Sequence, residues 1–387
     1  MAVKPQILII GPTPPPFHGV AVALETLLQS RIAERFHISH LDLADRRGIQ
    51  HVNKPDLHDV WLFCRQWTKL IGLLSRERPD VTYLVLSQST IGLLRDSFLL
   101  WPAFLRGSRL VLHLHGGNFR DWFSGRSWLM RVYVRIMLRR VTRILVLGES
   151  FKKLFDGLVD MNRVAVVPNG IDWQSPDQSV RQRDERTPCR ILHLSTLSHL
   201  KGALVLLKSI PLVIRQRRDV EFIFAGPWSH EDDQQWADRF IAQEGIASYV
   251  RFTGQVEGEG KQALFHSSDL FVFPGVQQEG QPLVVLEAMA AGLPVVYTDR
   301  GCLKETLGDE ECGRLVEIND PADLAFRLLW LLDHPEVMET IGRAGRKRYE
   351  RLFTRENHIA AMMQVFEGVA SGCGKRQDSL ETIQMKS

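Results

Sequence analysis

Cysteine is scarce in this chain: five in 387 residues, Cys64, Cys189, Cys302, Cys312 and Cys373. None stand in a C-x-x-C pair and the number is odd. That argues against a disulfide framework or a structural zinc site and fits a reducing, cytoplasmic compartment. Long hydrophobic runs are also missing. No stretch approaches the roughly 18 uncharged apolar residues of a membrane span; the nearest, Phe98–Leu105, is short and contains Pro102. The first apolar run, Ile7–Ile10, is too short for a signal-peptide core and reads as a buried strand. No D-x-D carboxylate pair stands in a suitable loop, so no metal site is expected, and no nucleic-acid motif is present. Net charge is nearly absent too: 48 Lys+Arg against 45 Asp+Glu give +3. At 44% hydrophobic and 24% charged, the chain is neither disordered nor collagen-like.

That small net charge hides an asymmetry. Residues 1–175 hold 23 basic and 14 acidic residues, a local +9, which leaves −6 for the rest. The length suggests two domains of about 100–200 residues each.

Short apolar runs alternate with longer amphipathic ones. Strand candidates are Ile7–Ile10, Thr82–Leu86, Leu110–Leu114, Ile144–Leu147 and Val164–Val167, then Arg190–Leu194, Glu221–Ala225, Val250–Thr253, Leu270–Phe273 and Val295–Thr298. Most lack period-2 alternation, as strands buried on both faces do. Between them, Leu57, Val60, Cys64, Trp67, Leu70, Ile71 and Leu74 recur at helical spacing, as do Leu24, Leu27, Leu28 and Ile32. Strand–helix alternation run twice predicts an α/β protein: two doubly wound parallel-sheet domains facing across a cleft, with ligands at the carboxyl ends of the strands. The expected units are a first domain over 1–176, a linker over 177–189, a second domain over 190–354, a helix over 355–370 packing back on the first domain, and a disordered tail over 371–387.

The segment Phe271–Tyr297 (FVFPGVQQEGQPLVVLEAMAAGLPVVY) carries the most chemistry. A strand ends at Pro274. Pro282 suits the first residue of a helix, where its missing N–H costs nothing, and the helix Leu283–Ala291 stops at Gly292. Its free amides and positive dipole end form a natural phosphate site. Glu279 precedes that start and Glu287 lies inside the helix. Two carboxylates there can accept hydrogen bonds from vicinal hydroxyls on either side of a diphosphate. On spacing alone, the pair fits equally a helix start with one capping and one ion-paired glutamate.

Glu279 and Glu287, in EGQPLVVLEAMAAGLPVV, resemble the E-x7-E motif of family-4 retaining glycosyltransferases, whose two-Rossmann-domain architecture is called GT-B. Other segments are similar to that family in order: PNGID at Pro168–Asp172, LSHLKG at Leu197–Gly202, the turn Ala225–Gly226, VRFTG at Val250–Gly254, and the loops Gly301–Glu305 and Gly313–Leu315. The resemblance implies a retaining, metal-independent transfer from a nucleotide sugar, UDP- or GDP-linked, to a polysaccharide, glycan or lipid-linked acceptor, with no further cofactor. It implies that Glu279 contacts the donor sugar, Glu287 the ribose and Lys201 the diphosphate. Gly280 and the amides of Leu283 and Val284 would face the distal phosphate, and Val256 the base. Where the family often carries an Arg facing the diphosphate, this chain has Thr196. In PTPPPFHGVAVA, Gly19 opens a helix where family members often have two glycines; backbone could approach a ligand there. His115, in LVLHLHGGNF, aligns with a histidine touching the donor sugar. His113 beside it reads as packed, and zinc lacks a third ligand. Ser87 and Gln88 close the preceding strand on the acceptor side. No carboxylate pair suits a covalent route, so the family's same-face attack is expected, with the departing phosphate taking the acceptor's proton.

The basic excess centres on Arg126, Arg131, Arg135, Arg139, Arg140 and Arg143. Arg131, Arg135 and Arg139 share one helix face, while Leu129, Val132, Tyr133 and Ile136 are expected to face the core. Trp122, Phe123 and Trp128 lie just upstream. Such a mixture suits an anionic membrane surface, which would place the protein peripherally at the inner face of the plasma membrane. It suits a plain solvated helix face as well. The loops His40–Asp56 and Asn118–Ser127 are expected to carry acceptor specificity. Two alternatives remain at this stage: a sugar-nucleotide-binding protein with weakened catalysis, or another two-Rossmann enzyme such as an epimerase or a phosphorylase.

Overall fold

A computed structural model describes residues 4–47, 57–173 and 188–372. Most of the expected linker (177–187), the stretch 48–56 and the tail from 373 lie outside the described residues.

The chain builds two six-stranded, wholly parallel sheets. The first contains β1 (Gln6–Gly11), β2 (His37–Asp42), β3 (Val81–Val85), β4 (Arg109–Leu114), β5 (Val141–Val146) and β6 (Val164–Val166), in the order β2-β1-β3-β4-β5-β6. The second contains β7 (Cys189–Leu194), β8 (Val220–Ala225), β9 (Val250–Gly254), β10 (Leu270–Phe273), β11 (Val295–Thr298) and β12 (Gly313–Val316), in the order β12-β11-β10-β7-β8-β9. The second order is that of a dinucleotide-binding sheet, with its reversal between β7 and β10. In the first sheet the reversal falls between β1 and β3.

Central strands are mostly apolar and buried on both faces, as the absence of alternation requires. On one face of the first sheet lie α3 (Leu57–Arg76), α4 (Thr90–Leu105), α5 (Phe119–Ser124) and α6 (Trp128–Arg140). The other face carries α1 (Gly19–Leu28), α2 (Ile32–Arg35) and the last helix, α14 (Arg355–Ala370). Phe366 of α14 is fully buried edge-on to Phe36 and Tyr83, and the Ala370 carbonyl accepts from Arg109. The chain thus returns from the second domain to complete the first. Around the second sheet pack α7 (Ala203–Ile214), α8 (Glu231–Glu244), α9 (Gly258–Ser267), α10 (Leu283–Ala290), α11 (Leu303–Thr306), α12 (Pro321–Leu332) and α13 (Pro335–Leu352).

Several expectations need correction. His40–Asp42 and Gly313–Leu315 are not loops: they are edge strands, half-exposed and so too polar or too short to read as buried runs. Asn118–Ser127 contains α5. Ile32 belongs to the separate helix α2. Pro282 caps α10 with extended backbone instead of opening it. Arg143 sits on β5, bonded to the Asn162 carbonyl, and is no part of the basic helix. Helix α6 has two apolar stripes. Val134, Met137 and Leu138 face the sheet, while Leu129, Val132 and Ile136 are exposed. Only Tyr133, of the four residues assigned to the core, packs against it. No helix among the described residues is long and apolar enough to cross a membrane.

Candidate functional site

The loops after β7 and β10 meet at the second sheet's reversal. The Leu200 carbonyl accepts from the amides of Val276 (2.9 Å) and Gln277 (3.2 Å), which zips the two loops together. Gly202 makes this approach possible. Its φ of +88° is left-handed, and a Cβ there would run into the Pro274 backbone. Lys201 is thereby turned onto Glu279: Nζ lies 2.7 Å from Oε1 and 2.8 Å from Oε2. Gln277 Nε2 also donates to Glu279 Oε1 at 3.0 Å. The Glu279 side chain is only 9% exposed, so the carboxylate is desolvated and depends on these partners.

Helix α10 starts three residues later. No side chain caps it, so the amides of Leu283 and Val284 have no acceptor within the helix, and the positive dipole end is open. Leu283, Val284, Val256 and Trp173 all lean on one apolar cluster. Glu287, on the second turn of α10, is buried. Lys261 of α9 holds its Oε1 at 2.6 Å, whereas its Oε2 is buried with no hydrogen-bond partner. Burial pushes the Glu287 carboxyl above the usual carboxylate range, and Lys261 opposes that shift.

The first domain closes directly on these loops. A Cβ at Gly280 would collide with the His115 carbonyl at the end of β4. One at Gly117 would lie 2.9 Å from the Glu279 carbonyl, and one at Gly301 would strike that same carbonyl. Glycine at 117, 280 and 301 therefore lets three loops stack. The His115 imidazole is pushed down to about 3 by burial, with His358 adding to the shift, so it is neutral at physiological pH. His113 is fully buried, Nδ1 bonded to the Tyr83 hydroxyl at 2.9 Å, with its ring 4.1 Å from that of His115. Among the described residues no group of three His, Cys, Asp or Glu side chains could hold a metal.

Lys201, Glu279, Gly280 and His115 thus come together across the domain junction, with Glu287, Leu283, Val284 and Val256 beside them on the second domain. Thr196 lies in the loop that carries Lys201, part-buried, its carbonyl accepting from Ser195 Oγ. Gly19 opens α1, and a Cβ there would meet nothing within 4 Å. Ser87 and Gln88 are engaged within their own domain. The Ser87 amide donates to Asp96, its hydroxyl accepts from Arg95, and Gln88 Oε1 accepts from the Asn118 amide while packing on Gly116. Gln88 thereby supports the loop that carries His115.

Four residues of the site were not singled out from the sequence. Lys261 belongs to no motif and meets its partner across 26 residues. Asn169 donates twice to Gln281 across the domains, from its backbone amide to Gln281 Oε1 at 2.7 Å and from Nδ2 to the Gln281 carbonyl at 2.9 Å. Glu305 accepts from the amides of Glu149 (2.6 Å) and Ser150 (2.9 Å), so a second-domain carboxylate caps a turn of the first. The segments of Asn169, Gln281 and Glu305 were legible as motifs, but which atoms they joined was not.

Two family models match the chain: "Glycosyl transferase 4-like domain" over residues 17–170 and "Glycosyl transferases group 1" over residues 188–334. The chain is similar to a phosphatidyl-myo-inositol mannosyltransferase of Mycobacterium leprae, 34% identical over 177 residues, 46% of each chain. It is also similar to an MMP alpha-(1->4)-mannosyltransferase of Mycolicibacterium hassiacum, 31% identical over 64% of this chain and 58% of that one. The matches span about half the length of these curated relatives. Among solved structures, Anabaena Alr3699/HepE in complex with UDP superposes with a TM-score of 0.72 at 19% identity, over 94% of this chain and all of that one. That likeness identifies the two-sheet GT-B fold.

Proposed function

Since the chain belongs to the group 1 glycosyltransferases, we propose that it transfers a sugar from a UDP- or GDP-linked donor to a glycan, polysaccharide or lipid-linked acceptor, with retention and without a divalent cation. The observation that carries this reading is the Lys201–Glu279 pair beside the uncapped start of α10, at the switch point where sheets of this topology take nucleotides.

In the free protein Glu279 neutralises Lys201. A bound donor exchanges that contact: the diphosphate takes the ammonium and the amides of Leu283 and Val284, and Glu279, still held by Gln277, accepts from sugar hydroxyls. Glu287 takes the ribose and Val256 flanks the base. Neutral His115 can donate to the sugar without adding charge. The C1–O bond to the diphosphate breaks as the acceptor oxygen bonds C1 from the same face, and the acceptor's proton passes to the departing phosphate oxygen. The positive charge facing that phosphate comes from Lys201 and the helix start, which is why no metal is invoked. Gly19, Ser87 and Gln88 border the acceptor side, and Thr196 offers a hydroxyl where relatives carry charge.

The acceptor side fits a membrane. Trp128, Leu129, Val132 and Ile136 are exposed on α6 beside Arg135 and Arg139, and Leu57, Val60 and Trp61 on α3 beside Arg65. Both helices cover the same face of the first sheet. An anionic bilayer matches that combination of apolar surface and positive charge.

Release of UDP or GDP from a panel of nucleotide sugars tests the reading. Turnover that persists in EDTA and is lost in Glu279→Ala and Lys201→Ala is expected. Full activity in both variants, or an absolute need for added Mg²⁺ or Mn²⁺, would overturn it.

A further inference from the structure

We propose that Lys261 is a positioning residue: it fixes the Glu287 carboxylate so that one oxygen stays free for a ribose hydroxyl, and it thereby makes the site select ribonucleotides over deoxyribonucleotides. This rests on the donor-binding reading above. The two Glu287 oxygens are treated differently by the fold. Oε1 is taken by Lys261 Nζ at 2.6 Å. Oε2 is buried without a partner. A buried acceptor left unmade costs free energy, so structures rarely keep one unless a ligand or water completes it.

The surroundings indicate what completes it. Glu287 sits one turn inside α10, whose open start is the anion site, and Val256 leads from β9 into α9, which carries Lys261. A group reaching Oε2 therefore lies between a phosphate position and an apolar surface suited to a base, which is where the ribose of a nucleoside diphosphate belongs. It must be a donor. A carboxylate only accepts, and a ribose hydroxyl is the donor such a ligand supplies. Lys261 does two things for that bond. Its charge favours the ionised form of a buried carboxylate, and its grip on Oε1 prevents the group from rotating both oxygens away. Both side chains are largely withdrawn from water, 29% and 10% exposed, so the orientation is set by this one contact.

Binding of UDP and GDP, each with its 2′-deoxy and 3′-deoxy counterparts, is measured by calorimetry for the wild-type protein, Lys261→Met and Lys261→Arg. The wild type is expected to prefer at least one ribonucleotide over a deoxy form by about tenfold or more, the size of one hydrogen bond to a charged group. Lys261→Met should weaken that ribonucleotide by about tenfold, leave the deoxy form within about twofold, and so abolish the preference; Lys261→Arg should restore most of it. The residual affinity of Lys261→Met for the ribonucleotide should also fall more steeply on acidification than that of the wild type. Unchanged deoxynucleotide binding doubles as evidence that the variant is folded, and Lys261→Gln replaces Lys261→Met if the latter does not fold. If Lys261→Met weakens ribo and deoxy forms equally, Lys261 contacts the nucleotide elsewhere and the proposal fails. If it keeps the preference, the proposal fails as well. Failure of the wild type to bind any of these nucleotides overturns the donor-binding reading itself.

Discussion

At the scale of single residues, the buried histidines make a pH prediction with a definite sign. His193 is fully buried between the Val272 carbonyl and the Ser195 hydroxyl, both at 2.9 Å, and burial pushes it down to about 4. His113, His115 and His358 are also held below the usual imidazole value, chiefly by burial. Between pH 6.5 and these depressed values the unfolded chain takes up protons that the folded chain refuses, so stability is lost as pH falls. At pH 5.5 the His193 contribution alone is on the order of 1 kcal/mol. Glu287 works the other way: its raised carboxyl binds a proton more readily when folded and favours the native state on acidification. Four histidines outweigh one carboxyl, so the melting temperature should drop between pH 7.5 and 5.5, and His193→Gln should flatten that slope. A slope unchanged in the variant would remove His193 from the account. The nominated site shows the same division between identity and environment. Glu279, Glu287 and Lys201 were legible because their motifs are local in sequence. Lys261 was not, because nothing near it in sequence shows that a helix 26 residues away presents a carboxylate to it.

At the scale of elements, the second-domain loops and the end of β4 are stacked through glycines, and this makes the junction sensitive to single methyl groups. Gly280 is the sharpest case. A Cβ there meets the His115 carbonyl, backbone that a rotamer change cannot move aside, with Leu147 Cδ1 at 3.2 Å behind it. Gly280→Ala should push the two loops apart and separate His115 from the Glu279–Lys201 pair while leaving both sheets intact. Misplacements of about 1 Å cost on the order of a hundredfold in positioned reactions. The expected result is a fall in kcat of that order with unaltered circular dichroism. Full activity would show that the stacked junction is not the reacting state. Element-level reading of the sequence succeeded where burial is two-sided, since β1, β4, β7, β8, β10 and β11 are mostly apolar and lack regular alternation. It failed at the sheet edges. β2 reads HISHLD because one side of it faces no neighbour, and that half-exposure removes the signal on which a buried-strand reading depends. It failed again on α6, where two apolar stripes compete and only packing decides which is core.

At the scale of the whole molecule, the division between a +9 half and a −6 half now has a geometry. The positive half is not evenly basic. Its α3–α4–α6 face combines Trp61 and Trp128, both more than half exposed, with Arg65, Arg135 and Arg139, and carries further exposed apolar side chains at Ile91, Phe98 and Leu105. Large exposed apolar patches on a folded domain are commonly interaction sites, which is the ground for testing this face against a membrane. Because α6 turned its second apolar stripe outward, the structure supplies apolar surface beside the charge that composition had already indicated. Adsorption to a bilayer needs both terms: the charge draws the face to anionic headgroups within a Debye length, and the side chains then bury their apolar area. The two terms separate experimentally. Arg135→Glu with Arg139→Glu should abolish sedimentation with phosphatidylserine-containing vesicles at low salt. Trp128→Ser with Ile136→Ser should preserve the initial attraction but leave it fully reversible by about 0.5 M salt, where the Debye length is only a few ångströms. Neither pair touches the Lys201–Glu279 site, so turnover on a soluble acceptor should be unaffected. Wild-type protein that ignores anionic vesicles at low salt would rule out the membrane as the occupant of this face.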